Sequence, residues 1–160
     1  MMEVEIVRRA DGGGVLRCKR SDGSVTWQKQ GRHAAFFAVH DLTHFAVETT
    51  LGFRRAFFGL IDEGWEIEET DGKSSRGALP LDAMIAESIV GLLDAERTSA
   101  AEWTVKEFNE ARAPFEPVTQ EDLSRIRNRR RQLFEQWSAV EPGSALKLVW
   151  ETPVLETDPR

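Results

Sequence analysis

Residues 3–27, EVEIVRRADGGGVLRCKRSDGSVTW, decide the fold class. Val4 and Ile6 alternate with Glu3 and Glu5, residues 15–19 (VLRCK) repeat a strand-like pattern, and Val25 and Trp27 begin a third such run. Period-two alternation is the signature of a strand with one buried face. The runs are separated by Asp11-Gly12-Gly13-Gly14 and by Ser21-Asp22-Gly23-Ser24. Asp-Gly and Gly-Gly favour tight hairpins because those turns need positive φ. The N-terminus therefore reads as a three-stranded antiparallel meander. The glycine run has neither the G-x-x-x-x-G-K-[ST] nor the G-x-G-x-x-G spacing, so it reads as a turn rather than a phosphate loop.

Beyond the meander the period changes. Gln30-Gly31-Arg32 breaks the strand pattern, and a helix is expected from about His33 to Leu51, with Gly52 ending or bending it. Residues 53–61, FRRAFFGLI, read as a second helix or a continuation; Trp65 to Glu68 read as a short extended piece, and residues 71–77, DGKSSRG, as a loop. Pro80 suits a first helical turn. Leu81, Met84, Ile85, Ser88, Ile89, Leu92 and Glu96 then share one face of a helix over about 81–97. Residues 100–113 read as another helix capped at Thr98-Ser99, and a further one starts at Thr119 with Asp122 three residues on. Pro142-Gly143 stops it, residues 145–151 (ALKLVWE) read as a last strand that closes the sheet, and the tail TPVLETDPR is expected to fray. The fold class is α+β: a small antiparallel sheet, made of the N-terminal meander plus a C-terminal strand, packed on three to five helices in one domain over residues 1–160.

Composition narrows the function classes. The 160 residues are 41% apolar and 30% charged, with a net charge of -6. These are the proportions of an ordinary globular protein. The acidic balance argues against nucleic acid and anionic membranes as partners. The one cysteine, Cys18, cannot form an internal disulfide and sits in a strand, where packing is its role. The start has no apolar leader segment and the longest apolar run is crossed by ionisable groups, so no membrane span is expected. The expected location is the cytoplasm.

One constellation has a chemical look. Within residues 36–51, FFAVHDLTHFAVETTL, stand His40, Asp41, His44 and Glu48, the pattern H-D-x-x-H-x-x-x-E. On a helix, His40, His44 and Glu48 form one stripe, Asp41 lies about a quarter turn away, and His33 joins the stripe if the helix starts that early. Two histidines at i, i+4 converge on one point, as a divalent cation requires, and a carboxylate one turn on completes the ligand set or holds a ring N–H. The candidate metal ligands are His40, His44 and Glu48, with Asp41 as the assisting catalytic group and Zn as the cofactor. The bland alternative is a polar seam inside the core, whose imidazoles take partners from Glu48, Asp62, Glu63, Asp82 and Glu87.

The H-D-x-x-H string resembles the two-histidine part of H-E-x-x-H zinc hydrolases, with Asp41 in place of the catalytic Glu and one methylene shorter. It also resembles the metal motif of the coenzyme Q biosynthesis family of the mitochondrial scaffold type, over His40, Asp41 and His44; where that family has a downstream glutamate, this chain has Ala56. HD-type phosphohydrolases need later histidines, and none follows His44.

Arg125, Arg127, Arg129, Arg130 and Arg131 crowd one helix but point in several directions, and no aromatic residue interleaves them to stack bases. They read as a solvated face paired with acids such as Asp62 to Asp71, with Arg130, on the apolar seam, partly buried and paired. Trp27 and Trp65 read as core or sheet-face packing. The first functional expectation is a non-catalytic domain that binds a partner or self-associates as a homo-oligomer. The alternative is a metal-dependent, hydrolase-like enzyme.

Overall fold

The computed structural model describes residues 1–154. Most of the C-terminal tail, 155–160, lies outside the described residues. Four antiparallel strands, β1 (Met2–Arg8), β2 (Gly14–Lys19), β3 (Val25–Gln30) and β4 (Ala145–Trp150), form one sheet in the order β3-β2-β1-β4. The N-terminal meander and the closing C-terminal strand stand as the sequence pattern requires. Gly12 and Gly23 supply the positive φ of the two hairpins, each at 86°.

Register sorts the side chains. Val4 faces Cys18 and Leu148 on its two neighbours, Ile6 faces Leu16 and Leu146, and Met2 faces Trp150. These residues form the inner face and, Leu148 only partly, are buried against helix α1 (Ala34–Leu51). On β3 the same face presents Thr26, Gln28 and Gln30, opposite Cys18, Leu16 and Gly14. Trp27 therefore points away from the helices and is 58% exposed. Hydrophobicity alone would put Val25 and Trp27 inside; register with β2 overrides it, because a one-residue offset exchanges the faces.

Among the described residues there are five α-helices: α1, α2 (Phe57–Asp62) and α5 (Gln120–Ser138) pack on the inner face, and α3 (Leu81–Ser99) and α4 (Val105–Ala111) form a second core with α1 and α5 around Val47, Ile89, Phe108 and Leu123. Gly52, in the left-handed conformation, ends α1, so 57–62 is a separate helix and not a continuation. The piece expected to be extended after Trp65 is a 3-10 helix (Ile67–Asp71) with a capping box between Glu66 and Glu69. The helix expected over 100–113 is shorter. Ala100 stops α3 in the left-handed conformation, and Thr104, not Thr98 or Ser99, caps α4 by accepting the Glu107 N–H. Thr119 caps α5 by accepting the N–H of Asp122, while the Asp122 side chain turns to Arg125.

Two tethers fix the 61–67 segment beside the sheet. Arg20 is buried and donates to the carbonyls of Ile61 and Trp65, each at 2.6 Å. The Ile67 N–H donates to Thr26 Oγ1 at 3.2 Å. Trp65 is buried with Leu60, Leu79 and Ala83. The Ile61 carbonyl, at the end of α2, also accepts the Gly64 N–H, so the guanidinium acts chiefly on the Trp65 carbonyl, sparing it the cost of being buried unpaired. The 3-10 helix is thereby held across from α1, and the space between becomes a cleft.

Candidate functional site

The stripe read from the sequence exists. His40 and His44 lie one turn apart on α1 with ring centroids 4.8 Å apart, edge to face. Each imidazole is held through Nδ1 by a carboxylate: His40 by Asp94 Oδ2 of α3 at 2.7 Å, His44 by Glu48 Oε2 of its own helix at 2.8 Å. His44 Nε2 meets Glu87 Oε1 of α3 at 3.2 Å. These pairings make α1 and α3 antiparallel. Going back one turn on α1, from His44 to His40, is matched by going forward two turns on α3, from Glu87 to Asp94. His33 stands exposed before the first turn of α1.

Glu48 lies beneath the stripe at 0% exposure. One oxygen takes His44 and the other accepts the backbone N–H of Phe58 at 2.9 Å. Both oxygens face the core, so Glu48 orients His44 and anchors the start of α2. Asp41, a quarter turn from the stripe, is 5% exposed and accepts Gln30 Nε2 at 3.0 Å. It lies where α1 meets the polar inner face of β3.

The cleft bounded by these groups holds about 440 Å³. Phe37, His40, Asp41 and His44 of α1 line it, with Phe57 of α2, Glu87 of α3, Gln28 of β3, and Ile67, Glu68, Thr70 and Asp71 of the 3-10 helix. Among the described residues, no lysine or arginine lines it. Four carboxylates there, Asp41, Glu68, Asp71 and Glu87, outnumber two imidazoles, so the walls carry net negative charge even with both imidazoles protonated.

Electrostatics sharpens the roles. Burial alone would push the His44 pKa down. Its hydrogen bonds to Glu48 and Glu87 and their charges outweigh burial and push it up to about 10. His44 is then an imidazolium at neutral pH, donating from both nitrogens to two carboxylates. Glu87, hydrogen-bonded to it, is held below the usual carboxylate range. Burial pushes Asp41 up to about 6, against the opposing hydrogen bond from Gln30.

For a metal, His40 Nε2, His44 Nε2 and Glu87 are the groups that face the cleft from neighbouring positions. Among the described residues, no three His, Cys, Asp or Glu side chains come together in a way that could hold an ion. A cation on His44 would also have to displace a proton shared with two carboxylates.

Sequence reasoning named Glu87 among the available acids but missed Asp94 and Gln30. Glu87 and Asp94 are seven residues apart on one helical face, the spacing that suits a facing i, i+4 pair. Gln30 was concealed by the strand register. Comparison with known protein families, curated proteins and solved structures finds nothing that matches this chain. No described helix is long and apolar enough to cross a membrane.

Proposed function

We propose that the chain is a non-catalytic binding protein whose α1–α3 cleft takes a small cationic ligand, an amine or a guanidine. The observation that carries this reading is the charge of the walls. Four carboxylates line the cleft, and its one strongly held cation, His44, is already shared between Glu48 and Glu87. A ligand cation would meet Glu87, Glu68 and Asp71 at the mouth and the faces of Phe37 and Phe57 beside them. A charged hydrogen bond contributes about 1.5–3 kcal/mol and a cation over a phenyl face about 0.5–2 kcal/mol. Together these suit a ligand with cationic heads on a short aliphatic body.

Isothermal titration with 1,4-diaminobutane and agmatine, against the neutral 1,4-butanediol, tests it. Saturable binding of the cations alone is expected, weakened at least tenfold by Glu87→Gln. Equal responses to cation and diol, or no binding of either cation, would sink the proposal.

A second reading, the hydrolase-like metal centre on His40 and His44, draws on one observation. Each Nδ1 is backed by a carboxylate, the arrangement that directs Nε2 to a metal. Stoichiometric Zn in purified protein, lost in His40→Ala with the fold retained, would favour it over the amine site.

A further inference from the structure

Three of the crowded arginines of α5, Arg127, Arg130 and Arg131, line a second cavity, of about 520 Å³, that shares no lining residue with the histidine cleft. Its base is a three-residue set. Glu96 of α3, 4% exposed, takes Arg127 on one oxygen and Arg130 on the other, the latter at 3.4 Å, and also accepts the Trp103 N–H at 3.0 Å. Arg127 and Arg130 are 11% and 14% exposed. Arg127 Nη2 also reaches the Trp103 carbonyl and Arg130 Nη1 that of Leu93, while Arg127 Nε is buried with no partner among the described residues. One buried carboxylate thus balances two nearly buried guanidinia, which leaves one positive charge without a counter-charge in a poorly solvated place.

The rest of the cavity does not cancel it. Arg97 and Arg131 stand against Glu102 and Glu135 at the exposed rim, so the lining carries four guanidinia and three carboxylates. Arg97 lies over the Phe36 ring and Arg131 donates to Asn128; among the described residues neither has a carboxylate partner. Phe134, beside Arg130, provides an apolar wall. Planar guanidinia fixed by other bonds present donors in the fork geometry that matches a carboxylate or phosphate. The five arginines of α5 thus make no single nucleic-acid footprint: Arg127 and Arg130 hold Glu96, Arg131 joins Arg97 of α3 at the rim of this cavity, and Arg125 and Arg129 line a separate one.

We propose that this cavity binds a small molecule carrying an oxyanion on an apolar body, the anion supplying the charge that the Arg127–Glu96–Arg130 set lacks and the body lying on Phe134. Phosphate monoesters and carboxylates share this chemistry, and titration distinguishes them. Phenyl phosphate, benzoate and inorganic phosphate are titrated at constant ionic strength against chloride, followed by calorimetry and by the side-chain Nε–H resonances of Arg127 and Arg130. Saturable binding of phenyl phosphate or benzoate is expected, with both resonances shifting and inorganic phosphate weaker for want of the apolar body. The rim variants Arg97→Gln and Arg131→Gln leave the Glu96 set intact; each is expected to weaken binding at least fivefold with an unchanged circular dichroism spectrum. The proposal is overturned if the organic anions act no more than chloride, or if binding is the same in both rim variants.

Discussion

The side chain of Glu48 accepts the backbone N–H of Phe58 at 2.9 Å, and this one bond joins the end of the histidine helix to the start of α2. Its other oxygen holds His44, so removal of the carboxylate orphans a backbone donor and leaves the buried imidazolium with Glu87 alone. Breaking a buried pair in this way costs about 3–5 kcal/mol. Glu48→Ala is expected to lower stability by that amount in urea unfolding, whereas Glu48→Gln, which still accepts the Phe58 N–H, loses less than half as much. Equal losses in the two variants would show that the backbone bond contributes nothing.

His44 makes stability pH-dependent. Its folded pKa of about 10 lies above its unfolded value of 6.5. The folded state therefore holds the proton more tightly, and the contribution is fully present below pH 6.5 and lost as pH rises through 10. Unfolding free energies measured between pH 6 and pH 10.5 should fall by several kcal/mol, and the His44→Gln variant should be much flatter over that range. A wild-type curve as flat as the variant's would refute the protonated sandwich.

Asp41 works in the opposite sense to an ordinary paired carboxylate. Its folded pKa is raised from 3.8 to about 6, so the unfolded chain releases this proton first and stability falls as pH climbs from about 4 to 6. Above pH 6 the deficit is constant, on the order of 3 kcal/mol at ~1.4 kcal/mol per pH unit. Asp41→Asn keeps an acceptor for Gln30 and removes the buried charge. It should stabilise the protein at pH 7 by about that amount and lose the advantage at pH 3.5, as read by thermal unfolding at both pH values. Destabilisation at pH 7 would mean that the carboxylate is held by more than Gln30. Stability given up at a cleft wall is what a ligand-facing group would show.

Much of this arrangement was legible in the chain. The meander, the closing strand and the His40–His44–Glu48 stripe follow from spacing, because period two and period 3.6 place residues before any tertiary contact does. Arg130 was expected to be buried and paired, and it is. Its partner is Glu96, not the acids of residues 62–71, since helix packing chooses between carboxylates that look equivalent in a sequence. The inward turn of Gln28 and Gln30 was hidden for a similar reason: face assignment on an edge strand is decided by its neighbour, and Trp27 misleads.

Gly59 in α2 tests how closely the chain packs there. A Cβ at this position would lie 1.8 Å from the Arg54 carbonyl oxygen, a backbone atom that no rotamer change can move. Gly59→Ala should displace the 54–59 turn, lower the melting temperature by 10 °C or more and broaden the Phe58 amide resonance. A shift of a degree or two would show that the turn yields freely.

Cys18 is fully buried on β2, and burial pushes its thiol up to about 12. A thiolate is the reactive form. The native protein should therefore resist Ellman's reagent for hours and react within seconds in 6 M guanidinium. Prompt modification of the native protein would expose fast opening of the sheet.

The pairing of Met2 with Trp150 has a temporal meaning. β1 is an interior strand, yet one of its neighbours is made almost a whole chain length later. Until β4 arrives, β1 carries a bare edge with Met2, Val4 and Ile6 alongside it, and an unpaired apolar edge is a template for joining other chains. Closing so long a loop is also slow. A nascent chain on the ribosome, or one truncated before Ala145, would carry its two N-terminal hairpins with that edge open, and aggregation would compete with folding until the last strand takes its place.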